Sequence, residues 1–285
     1  MIDTHCHLTF KLFKNQVPEV IARAQAVGVT DMVTIGTHLK NSAQSVQLAA
    51  EHDGVWAAVG VHPHHVYEFV KQGVSMDEAV RQVKAELSKL LTHPKVVAVG
   101  EIGFDKHGYE QTVYDSIEIS PEYLAFQRSL FITQLELAQE FQKSVCIHNR
   151  EAIPELLQVF ADRPDLIQPK KMVLHCCEPA PELLDLALQH QLFIGVDGDL
   201  TYTPAKQAFI KQVPLEHIVV ETDSPYLLPE PERTALAGKP FKERACEPMH
   251  VVRVVEEIAK LKDCSVDEVD HLTVANSKQL FLMVK

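Results

Sequence analysis

No run of apolar residues in this 285-residue sequence approaches the roughly 20 that a membrane span requires. No basic stretch leads into an apolar one at its start, so no secretory leader is expected and the cytoplasm is the expected compartment. The six cysteines include no CxxC pair. Cys6, Cys146, Cys176 and Cys177 lie in apolar, strand-like segments, which fits reduced thiols and not a disulfide scaffold. No GxGxxG turn is present, which argues against an open, doubly wound dinucleotide-binding sheet. No Gly/Ser/Pro-rich linker divides the chain, so residues 1–285 read as one domain. Positive charge is scarce: 27 Lys and Arg stand against 39 Asp and Glu, a net of -12 with His neutral. Such a field repels polyanions and acidic membrane surfaces. No extended basic stripe interleaved with aromatics, of the kind that grips long nucleic acid, offsets it.

What is present is a repeat of short β-branched runs and longer amphipathic stretches. Strands are expected at Met1–His5, Asp31–Gly36, Val55–Val61, Val96–Gly100, Ser144–His148, Met172–His175, Leu192–Val196 and His217–Glu221. Between them, segments such as SMDEAVRQVKAELSKLL, EYLAFQRSLFITQLELAQEF and PELLDLALQHQ carry apolar residues at helical spacing. Near-continuous apolar strands such as VVAV and HIVV suit a parallel sheet covered by helices. Eight such units predict a (β/α)8 barrel. The last segment, VDEVDHLTVANSKQLFLMV, adds a C-terminal helical region expected on the barrel's outside. The weakly periodic stretch from Lys106 to Ser120 follows strand four and is expected at the barrel mouth, where loops shape access.

The polar residues cluster at one end of these strands. Strand one delivers His5 and His7, two residues apart and so on one face of an extended chain. Taken alone, that pair also fits a solvated N-terminus. Strand three ends in His62, His64 and His65, strand four in Glu101 and then Asp105, and strand five in His148 and Arg150. Strand six ends in His175, and strand eight in Glu221 and Asp223. A barrel converges these ends on one axis, at the face where the fold builds its sites. Four imidazoles and two carboxylates packed there are costly to desolvate without a cation. Two divalent ions resolve the cost: His5, His7 and Asp223 on one, His148 and His175 on the other, and Glu101 bridging. Mixed N/O ligation suits Zn²⁺, Mn²⁺ or Fe²⁺ more than Ca²⁺, with Mg²⁺ held through water and substrate phosphate. Two such ions acidify a shared water, and Asp223 can accept its proton. The expected chemistry is hydrolysis.

The same residues carry a resemblance that spans nearly the whole chain. DTHCHL, AAVGVHPH, VGEIGFD, QLELAQEFQKSVCIHNREA, LHC, VVETDSPYLLP and EPMHVVRVVEEIA, in that order, resemble the TatD-type deoxyribonucleases among the metal-dependent amidohydrolase-like barrels. The resemblance implies that His5, His7, Glu101, His148, His175 and Asp223 are metal ligands, with Glu101 where related enzymes use a carboxylated lysine. It also implies metal-dependent cleavage of DNA phosphodiesters, often from a 3′ end.

Three stretches depart from the family pattern, and all are expected in substrate-facing loops. CCEPAPE follows His175, GVDGD adds Asp197 and Asp199, and Cys246-Glu247-Pro248 follows Arg244. They leave the metal chemistry intact and open the substrate question. His62, His64, Arg150 and Arg244, along with Lys106 and His107, are candidates to hold phosphate, Arg150 foremost because it lies two residues past a ligand. Two divalent ions would add about four positive charges locally. Short strands, DNA ends or nucleotides therefore suit this chain better than duplex DNA, with no obligate protein partner in view. A non-nucleic-acid ester or amide is the alternative substrate, and an inert metal-binding scaffold is the reading from another class.

Overall fold

The computed structural model of the chain describes residues 1–109 and 118–282. Eight strands form where apolar and β-branched residues run together: β1 Ile2–Cys6, β2 Asp31–Ile35, β3 Val55–Val59, β4 Val96–Asp105, β5 Ser144–Arg150, β6 Met172–Leu174, β7 Phe193–Val196 and β8 Ile218–Val220. All pair in parallel, in the order β1 to β8. The last strand meets the first through a bridge between Cys6 and Ser224. There the His7 N–H donates to the Ser224 carbonyl at 2.8 Å, and the Asp223 N–H to the His5 carbonyl at 2.9 Å. The expected (β/α)8 barrel is the fold observed.

Parallel strands buried on both faces need helices outside. Among the described residues these are α1 Val17–Ala26, α2 Leu39–Glu51, α3 Val66–Lys71, α4 Met76–Leu91, α5 Pro121–Glu140, α6 Ile153–Asp162, α7 Pro181–His190, α8 Pro204–Ile210, α9 Glu232–Ala235, α10 Val251–Lys262 and α11 Val266–Phe281. Local chemistry marks several starts: Ser75 and Ser265 accept the N–H groups of Glu78 and Glu268, and Ser120 accepts that of Tyr123 just ahead of Pro121. No helix among the described residues is long and apolar enough to cross a membrane. The six cysteines are all unpaired.

Strand residues alternate between two apolar layers. Met32, Ala57, Val59, Val145 and Ile194 face the helices in the larger core, whereas Val33, Ile35, Ala58, Cys146, Val173, Phe193 and Val219 fill the barrel interior. Leu280 and Phe281 at the end of α11 belong to that interior cluster, and the Ser144 hydroxyl donates to the Leu280 carbonyl. The end of the C-terminal helix therefore closes the barrel floor, an inward contact that an expected place on the outside does not foresee. Strands four and five also run further than expected. Past an irregularity between Val99 and Ile102 they stay paired to Asp105 and Arg150, which carries Glu101 and Asp105 on a rigid element. Of the expected mouth segment, residues 110–117 lie outside the described residues.

Helix α5 fixes the two strand ends that matter most. Its buried Gln127 accepts from the Asp105 N–H and donates to the Asp105 carbonyl. Gln134, two turns on, does the same to Val61, just ahead of His62. Each amide satisfies a backbone pair that leaves the sheet ladder, as buried peptide groups require.

Candidate metal centre

The strand ends deliver their polar side chains to one point. Glu101, 4% exposed, stands at the centre. Its Oε2 faces His5 Nε2 at 3.5 Å, while Oε1 faces His148 Nδ1 at 2.6 Å, His62 Nε2 at 3.6 Å and His175 Nε2 at 3.8 Å. Asp223 completes the ring, with Oδ1 3.1 Å from His7 Nε2, 3.7 Å from His5 Nε2 and 3.8 Å from His175 Nε2. The His5 and His175 rings stack with centroids 3.4 Å apart. All six residues expected as ligands thus meet. Apart from Cys176–Asp197–Asp199 beside the ring, the groups of described residues that could hold a cation are His5–His7–Asp223, His62–Glu101–His148 and His5–His175–Glu221. The first is the grouping expected from sequence. The other two divide His148 and His175 and bring in His62 and Glu221.

Two observations show that these residues suit a divalent cation. Both ring nitrogens of His5 and Nδ1 of His7 are buried without a hydrogen-bond partner, a costly state for neutral imidazole unless a lone pair meets a metal. The cluster also demands positive charge. Burial alone would raise Glu101, but His62, His148 and His175 hold it well below the usual carboxylate range. Burial disfavours charge on His148 and His175, yet Glu101 with Asp105 lifts the first to about 9, and Glu221 with Glu101 lifts the second to about 10. Burial keeps His5 low. A divalent ion bound here would supply that charge in place of protons.

Two carboxylates behind the ring set its orientation. Asp105 Oδ2 lies 2.8 Å from His148 Nε2, which leaves Nδ1 turned to the centre. The same oxygen lies 3.3 Å from His64 Nε2 and accepts from Tyr109 at 3.1 Å. Glu221 Oε1 lies 2.9 Å from His175 Nδ1 and accepts the Cys176 N–H at 2.7 Å. Glycine is required twice. A Cβ on Gly103, at φ +146°, would run into the His148 carbonyl, and one on Gly195 would collide with the Glu221 carboxylate. Asp105 and Glu221 are expected from sequence at this end of the barrel, but without a role. Their spacing from Glu101 and Asp223, four and two residues, was the available signal.

The ring opens into a cavity of about 780 Å³. Of the expected phosphate-holding residues, His62, His64 and Arg150 line it, whereas Lys106, His107 and Arg244 do not. Arg150 donates to the Tyr109 hydroxyl at 3.0 Å and packs over that ring. The cavity wall also holds a group not foreseen from sequence. Lys206 of α8, 2% exposed, reaches Asp199 Oδ1 at 2.7 Å, Asp197 Oδ2 at 3.3 Å and Cys176 Sγ at 3.7 Å. The departures after His175 and in GVDGD thus fold into one charged lock beside the ring.

Comparison with known proteins agrees with this geometry. A family model described as TatD related DNase matches residues 2–282. The chain is 33% identical over 285 residues to the 3'-5' ssDNA/RNA exonuclease TatD of Edwardsiella piscicida, covering 99% of each. It is 28% identical over 283 residues to the uncharacterized metal-dependent hydrolase YabD of Bacillus subtilis, covering 99% of this chain and 98% of that one. Among solved structures, the TatD homolog YJJV of Escherichia coli superposes with a TM-score of 0.80 at 26% identity, covering 100% of this chain and 98% of that one. The chain belongs to the TatD-related DNase family of metal-dependent hydrolases.

Proposed function

We propose that residues 1–285 work as one cytoplasmic metal-dependent phosphodiesterase that shortens single-stranded nucleic acid from an end. The observation that carries the reading is the Glu101 carboxylate, whose two oxygens face different histidines inside a buried ring of imidazoles. In this reading His5, His7 and Asp223 would hold one divalent ion, His148 and His175 a second, and Glu101 would contribute to both. The bound ions would supply Lewis-acid charge and a water acidified towards neutral pH. Asp223, with Oδ1 turned into the ring, would be the residue that takes up a proton there. Arg150, His62 and His64 orient the phosphate, and Tyr109 steadies the guanidinium.

The test is single-stranded DNA labelled at either end, incubated with Mg²⁺, Mn²⁺ or Zn²⁺. The expected result is metal-dependent, stepwise shortening from one end, abolished by a chelator. Failure to shorten either substrate, by protein shown to bind metal, would overturn the reading. An ester or amide outside nucleic acid then becomes the substrate class.

Asp105 and Glu221 orient ligands without being ligands in this assignment. Asp105→Asn is expected to weaken metal binding roughly 10- to 100-fold, because an amide can donate to His148 Nε2 and so invert its tautomer. Competition against a chromophoric chelator reads this directly. Affinity equal to the wild type would show that the Asp105 contact does no orienting.

A further inference from the structure

We propose that a track for stacking nucleobases leads out of the metal cavity, built from Phe10, Tyr226 and Phe241 and ending at Arg244. It deepens the nuclease reading above and rests on it. Among the described residues, the exposed large hydrophobic side chains include only two aromatics, Tyr226 at 45% and Phe241 at 43%. They are neighbours, with ring centroids 6.0 Å apart and planes within 30°. Tyr226 meets the Phe10 edge at 6.2 Å, and Phe10 stacks on His7, centroids 4.4 Å apart and planes within 16°. The run of rings therefore starts on a residue of the metal ring, and both Phe10 and Tyr226 line the cavity.

Charge identifies the occupant. Residues 239–244, KPFKER, hold three cations against Glu243, in a chain whose net charge is -12. Lys239, Lys242 and Arg244 are exposed, and none forms an ion pair among the described residues. The Arg244 guanidinium lies 5.9 Å from the Phe241 ring centre. Aromatic faces interleaved with unpaired cations are what a single strand needs: its bases stack and its phosphates are neutralised. A strand whose terminal phosphodiester sits at the metal ring has its next nucleotides at the cavity lip, where these rings begin. This gives Arg244 a place that the cavity does not. It also supplies, on a small scale, the basic and aromatic interleaving that the sequence analysis finds missing.

The test compares Phe241→Ala with wild type, under the active metal, on an eight-nucleotide deoxythymidine strand. A second strand of equal length is abasic at every position but the terminal one. Loss of a stacking partner is expected to raise KM for the normal strand roughly 5- to 100-fold, leave kcat unchanged, and be reversed by Phe241→Trp. On the abasic strand, wild type and variant should have the same KM. An unchanged KM for the normal strand, in a variant of an active enzyme, would overturn the track. If Phe241→Ala instead changes only the sedimentation of the protein, the face belongs to a second copy of the chain, and the track is again wrong. Wild type inactive on both strands while holding metal would fail the nuclease reading itself, and the track with it.

Discussion

Asp223→Asn is expected to lower kcat on single-stranded DNA by roughly 10²- to 10⁴-fold, the usual worth of a positioned general base. The substitution keeps size and one acceptor oxygen but removes the charge and the basicity. Asp223 is held where it is by backbone: its φ is +51° and its N–H is fixed to the His5 carbonyl. The asparagine should therefore sit in the same place, and a thermal melt should move little. Glu101→Gln is expected to fall in the same range for a different reason. One carboxylate oxygen becomes an amide nitrogen, which cannot act as a ligand opposite His5 or His148. Combining the two should cost little more than either alone, because the residues act as a unit. Metal content and kcat, measured together on folded protein, separate the roles: Asp223→Asn retains more metal than Glu101→Gln. Full turnover in Glu101→Gln would sink the bridging role.

The barrel and its ring were legible because both depend on short-range patterns. A β-branched run ending in a histidine or carboxylate names a strand and the face it delivers, and spacing by two keeps His5 with His7 on it. What the pattern lacks is knowledge of which side chain stands behind which. Asp105 and Glu221 look like any polar residues at a strand end until β4, β5, β6 and β8 are laid side by side. Helix α11 reads as amphipathic, but nothing in VDEVDHLTVANSKQLFLMV says that Leu280 and Phe281 meet the barrel floor. Phe10 and Tyr226 lie more than two hundred positions apart and touch only because the closure of β8 onto β1 brings their loops together. Lys206 misleads most directly. In TPAKQAFIKQV a lysine reads as the solvent face, yet its ammonium is buried among the acids of the preceding strand end.

That burial makes Lys206→Met the largest expected loss of stability outside the apolar core. The methionine matches the length and apolar stem of lysine, so packing is kept and only the charge is removed. Asp197, fully buried, and Asp199 would then face each other without a cation between them. Breaking a buried ion group in this way costs about 3–5 kcal/mol, or a fall in Tm of roughly 10 °C for a chain of this size. The deficit should depend on pH with a definite sign. Burial and the nearby Asp197 already push Asp199 up to about 8 with the lysine in place. Without it, carboxylates whose folded pKa lies above the unfolded value add stability in acid and lose it as pH rises. Denaturant melts at acid and neutral pH should therefore converge towards wild type in acid and diverge near neutrality. Adding Asp197→Asn should recover much of the loss, since Asp197 is the buried carboxylate that Lys206 holds in its charged form. A Lys206→Met variant within about 1 kcal/mol of wild type at neutral pH would mean that water reaches the acids. The wall beside the metal ring would then be a wet, adaptable surface and not a locked one.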